Sequence, residues 1–149
     1  MIILFNTPSW QYLDIPDDGI PESQGELMAV NVSIECLDGI NVVWIRTSGI
    51  YELDAELETV KCAIQTAKNH NCNRLLFDHR KSKVVARVMG AYDRPVKYQE
   101  FGLDRSAKLA ILLREVDEGI SFYETVCNNR GWQAQLFTDY DVAVDWLAK

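Results

Sequence analysis

The chain has 149 residues, of which 48% are hydrophobic and 25% charged, with a net charge of −7. These are ordinary globular values, and one domain of this length buries roughly 68–70% of its unfolded surface, so its core requires no metal or disulfide staple. An acidic sum gives little electrostatic support for nucleic-acid binding, and the apolar run at Met1–Trp10 is too short for a signal peptide or a membrane span, which makes the cytoplasm the expected compartment.

Residues 1–29 read as an acidic arm. They carry Asp14, Asp17, Asp18, Glu22 and Glu26 with no Lys or Arg, and removing these five from the 22 acids leaves 17 against 15 bases. Pro8, Pro16 and Pro21 favour irregular structure, with Ile2–Phe5 as a candidate edge strand. A regular pattern begins at Val30, so residues 30–149 form the expected domain. Val30, Val32, Ile34 and Cys36 alternate with polar neighbours, which predicts a half-buried strand. Asp38-Gly39 supplies a turn into a second strand over 41–47, ended by Ser48-Gly49, and the pair reads as an antiparallel hairpin.

Leu53, Leu57, Val60, Ile64 and Ala67 recur at helical spacing and predict a helix stopped by Asn71. Arg74-Leu-Leu-Phe-Asp-His79 is short and apolar, and reads as a buried strand. The stretch from 84 to 103 is helical in pattern, but Pro95 should break or restart it. Lys108–Arg114 predicts a strand and Gly119–Arg130 a helix. Gly131 fits the left-handed position after that helix. A strand at Ala134 and a last helix with Asp139 as N-cap complete the chain. Strands alternating with helices require crossovers, so the expectation is an α/β single domain with a mixed, mostly parallel sheet of about five strands flanked by helices.

No nucleotide-binding, nucleophile-elbow or metalloprotease motif is present, and no cofactor is expected. The four cysteines (Cys36, Cys62, Cys72, Cys127) form no C-x-x-C pair and have no His at ligand spacing, so neither a zinc site nor a redox motif is expected. Asp78-His79-Arg80 is placed beyond the carboxyl end of a strand, where ligands of open α/β sheets bind, and its groups suit an anion or acid–base work. The plainer reading has Asp78 capping a loop or helix with His79 and Arg80 in solvent. Ser82 follows among bases, as a phosphate site or an ordinary loop serine. The segment from Arg80 to Lys97 is basic and could meet a phosphate or an anionic head group. Tyr92, with Trp44, Tyr51, Tyr98 and Phe101, lines an apolar cleft or belongs to the core.

Leu75-Leu-Phe-Asp78, Lys108-Leu-Ala-Ile111, Asn129-Arg-Gly131 and Phe137-Thr-Asp139, followed by Ala143 and Trp146-Leu147, resemble the SpoIIAA-like proteins of the STAS superfamily, which are often grouped with SEC14-type lipid-binding domains. The resemblance implies a sheet flanked by helices that works as a binding or regulatory module without catalysis. Anti-sigma antagonists of that family carry a phosphorylatable serine in an Asp-Ser-Ser/Thr-Gly-like stretch. The corresponding residues here, Asp78–Val84, lack it, and Ser82 is only a loose positional counterpart. The leading expectation is a non-enzymatic module that engages a protein partner or a small anionic or lipid-like ligand near Asp78, His79, Arg80, Ser82 and Tyr92. A small-molecule or lipid carrier is the alternative, and an enzyme using Asp78 and His79 is the third reading. Self-association as a homodimer, through an apolar helix surface or an edge strand, is a further reading.

Overall fold

The computed structural model describes residues 30–53 and 55–149, together with the backbone of residues 2–7. The remainder of the acidic arm lies outside the described residues. Among the described residues, ten elements follow one another: β1 (Ile2–Thr7), β2 (Val30–Leu37), β3 (Val42–Glu52), α1 (Leu57–Asn69), β4 (Arg74–Val85), α2 (Val88–Glu100), β5 (Lys108–Leu112), α3 (Glu118–Asn129), β6 (Gln133–Phe137) and α4 (Tyr140–Ala148). The six strands lie side by side in sequence order. β1, β2 and β3 pair antiparallel, and β3 through β6 pair parallel. The chain is therefore an α/β domain with a mixed, mostly parallel sheet, and Ile2–Thr7 supplies the anticipated edge strand.

Parallel neighbours need crossovers, and each successive crossover here steps one strand further along the sheet. α1, α2 and α3 consequently share one face, where Val60, Ile64, Ala91, Tyr98, Ile120 and Cys127 join Val32, Ile34, Ile45, Phe77 and Ile111 in the larger core. Among the described helices, α4 covers the other face, where Ala143 and Leu147 pack on Val42, Leu76, Ala110, Leu112 and Phe137. Full burial of each large aliphatic side chain contributes about 1.5–3 kcal/mol. Gly131, at φ +89°, ends α3, and the Asp139 carboxylate accepts from Val142 N at 3.2 Å to open α4. Both follow the sequence expectation.

Three expectations need correction. β3 does not stop at Ser48-Gly49: Ser48–Glu52 pair with Lys81–Val85 and carry both strands onward. α1 begins at Leu57, because the Leu53 amide donates to Val85 O at 3.1 Å and extends that ladder. α2 runs through Pro95 without a break. An internal proline removes one helix hydrogen bond, but buried contacts hold the helix around it. The flanking Arg94 is fastened to neighbouring elements, and the Pro95 carbonyl accepts from Trp132 Nε1 at 3.1 Å.

Candidate functional site

Asp78, His79 and Arg80 lie in mid-strand, not beyond a strand end. β5 pairs with β4 only as far as Asp78, while β3 continues to Val85. Successive strand residues point to opposite faces, and this divides the triplet. Asp78 faces the α4 side. Its carboxylate accepts from Arg80 Nε at 2.9 Å, Arg80 Nη2 at 2.8 Å and Trp44 Nε1 at 3.2 Å. Burial works to raise the Asp78 pKa, but the Arg80 pair outweighs it and holds the carboxyl below its usual range. The Arg80 guanidinium also lies over the Tyr140 ring, 5.6 Å from its centroid.

His79 points the other way, under α2, and is only 2% exposed, which corrects the reading of a solvent-facing side chain. Its ring packs on Tyr51 at 4.4 Å between centroids, and Nδ1 lies 2.6 Å from Thr47 Oγ1. Burial first, then the Arg94 charge, lowers its pKa to about 3. The ring is neutral at physiological pH.

Ser82 is likewise neither a loop residue nor at a helix start. It sits in β4, buried, with Oγ 2.6 Å from Thr47 Oγ1. Ordinary alternation from His79 would turn Ser82 to the opposite face. A bulge prevents this: Arg46 pairs with Asp78 and Ser48 with Lys81, so Thr47 alone opposes both His79 and Arg80. The extra residue shifts the phase of β4, and Ser82 and Val84 return to the side of the larger core. Thr47 thus becomes the centre of a Ser82–Thr47–His79 hydrogen-bonded chain sealed inside the protein.

Beside it lies Arg94, which sequence reasoning had counted among the surface bases. It is 2% exposed and donates from Nη1 to Leu53 O at 3.0 Å, from Nη2 to Tyr51 Oη at 2.5 Å, and from Nε to Tyr98 Oη at 3.3 Å. Tyr98 and Tyr123 share a further hydrogen bond. Burial opposes the Arg94 charge, but the three tyrosine hydroxyls keep the guanidinium protonated. Burial pushes Tyr98 up to about 12. The available signal for Arg94 was its spacing: with Ala91 and Tyr98 it occupies the inner i, i+3, i+7 face of α2. Thr47 and Tyr123 carried no such signal.

His79, Arg94, Tyr98 and Tyr123 line a cavity with Leu53, Phe77 and Ile111, and about 10 Å³ of it is open to the centre of a water molecule. That is about the minimum space for one ordered water. Tyr92 takes no part in this group. It stands on the outer face of α2, 45% exposed, with its ring edge-on to Phe122 at 5.4 Å.

The basic segment is also largely committed within the fold. Arg80 pairs with Asp78, Arg87 with Glu52 and Lys97 with Glu100, and Arg94 is interior. No helix among the described residues is long and apolar enough to cross a membrane. No family model matches this chain, and no curated protein matches it.

Proposed function

We propose that the chain is a non-enzymatic binding or regulatory module that takes a protein partner on the outer face of α2. One observation carries this reading: Val88, Met89, Tyr92 and Val96, 62%, 69%, 45% and 41% exposed, make an exposed apolar ridge along that helix. Their spacing, i, i+1, i+4 and i+8, keeps them on one side of a helix. Contiguous exposed apolar surface of this kind marks interaction sites, and Met and Tyr are adaptable, energetically strong contact residues. A STAS-like assignment belongs to the same proposal, supported by the opening hairpin, the following crossovers and the motifs quoted above.

The inner group draws less support as a catalytic centre. A general base must reach its substrate and have a pKa near the working pH; His79 is sealed and titrates near 3. A carrier needs a cavity of about 300–1,000 Å³, whereas the space beneath α2 holds about one water.

A photo-crosslinking residue placed at Met89, with one at Val142 on α4 as control, tests the proposal in native cells. The expected result is a discrete protein adduct from position 89 alone, lost when Tyr92→Lys is added. Adducts of equal yield from both positions, or none from position 89, would overturn it. An adduct with the mass of two copies identifies the partner as a second molecule of this chain.

A further inference from the structure

At the turn of the β2–β3 hairpin, three side chains from two segments distant in sequence converge over the end of α1. Cys36 lies near the end of β2 and is buried, Asp38 is in the hairpin turn, and His70 follows the last residue of α1. One sulfur, one carboxylate oxygen and one imidazole nitrogen lie within 4.8 Å of one another, and His70 Nδ1 is 4.0 Å from Asp38 Oδ1.

The backbone around them is firmly built. The Ile40 amide closes the turn on Leu37 O at 3.1 Å, and the Cys72 amide ends α1 on Ala67 O at 2.8 Å. Asn41 and Asn71 take left-handed φ values of 52° and 49° at the two corners. Cys72 Sγ lies 3.1 Å from Asn41 O and links the corners. Its single thiol proton is shared between that carbonyl and Arg74 O at 3.3 Å, and Cys72 is not counted among the ligands.

We propose that Cys36, Asp38 and His70 form a binding site for a zinc-like divalent cation, which would pin the β2–β3 hairpin to the end of α1. The donor set is the mixed S, N, O kind that suits zinc and disfavours magnesium and calcium. Tetrahedral bonds of about 2.0–2.3 Å place ligand atoms about 3.3–3.7 Å apart. The present cluster needs to close by about 1 Å, well within one side-chain rotation. Asp38, whose side chain is 87% exposed, is free to make it. Binding releases the Cys36 thiol proton to solvent and forms a metal–thiolate bond. Thiolate and carboxylate then balance the two positive charges, His70 binds neutral, and no net charge is buried beside the core. Three protein ligands leave the fourth position to water. The site is independent of the α2 ridge.

Cobalt titration of the full chain, reduced and stripped with chelator, tests the proposal. The expected result is one equivalent of Co²⁺ bound, with a thiolate-to-cobalt charge-transfer band and intense tetrahedral visible bands that zinc abolishes. Cys36→Ser should remove the charge-transfer band, and His70→Ala should weaken binding by about tenfold or more. Cys62→Ser, at a half-buried α1 position whose thiol donates to Glu58 and which is not one of the three ligands, should change neither. Absence of a charge-transfer band in the parent protein, or its persistence in Cys36→Ser, would overturn the site. Because His70 is partly exposed, His70→Ala provides the test even where Cys36→Ser compromises folding, and unchanged cobalt affinity in that variant also overturns it.

Discussion

At His79 the imidazole has exchanged water for Thr47, Tyr51 and Phe77, and that exchange sets how the fold responds to acid. The folded pKa of about 3 lies below the ordinary 6.5. Between those values the unfolded chain binds a proton that the folded chain refuses, so stability is fully present above pH 6.5 and declines as pH falls toward 3. The slope from this residue is about 1.4 kcal/mol per pH unit. Urea denaturation at intervals from pH 7.5 to 4.5 should show it, with a flatter profile for His79→Gln; parallel profiles would refute the assignment. Asp78 also loses its contribution in acid, but its lowered pKa confines that loss below the usual carboxylate range. The sequence identified both residues as chemically notable. It could not show that they face opposite sides, because a sharp apolar run reads as buried without revealing where the strand ends or which side chains turn to which layer.

Among the elements, α2 was the least legible, since its Pro95 argued for a break and its charged residues argued for surface. Both signals are local, and a tertiary anchor overrides them. Arg94 ties the helix to Leu53 O and to Tyr51, both contributed by the end of β3 and the turn after it. Arg94→Ala leaves that carbonyl and the tyrosine hydroxyls without their charged donor, and should cost about 3–4 kcal/mol. Arg94→Lys should recover less than half, because an ammonium lacks the planar fork that reaches three acceptors at once. Chemical denaturation measures both, and a loss below about 1 kcal/mol for the alanine variant would remove Arg94 as the anchor of α2. The elements read most fully in advance were α3, β6 and α4. There the glycine stop at Gly131 and the cap at Asp139 are backbone requirements written in single residues.

For the molecule as a whole, hydrophobic alternation and the succession of strands and helices were enough to anticipate an α/β domain with a mixed sheet. The pairing of distant side chains, such as Cys36 with His70, depends on crossovers that spacing in sequence does not report. Protection from solvent should follow the same layering. Leu75, Leu76, Leu109 and Leu112 in β4 and β5 are buried between the two helical layers, whereas β6 is an edge strand with exposed Gln133 and Gln135. Hydrogen exchange should be slowest in β4 and β5 and markedly faster in β6; equal rates would mean that the sheet opens as a unit. The bulge opposite Thr47 carries a consequence for the descent of this sequence. It marks the one place where β4 can lose a residue: without Arg80, Thr47 would oppose His79 alone, Lys81 would still pair with Ser48, and Ser82 and Val84 would keep their inward side, whereas a loss between Lys81 and Val84 would turn the positions after it to the wrong face. Relatives that share this inner face should therefore show single-residue gaps in β4 at the bulge itself and not between Lys81 and Val84.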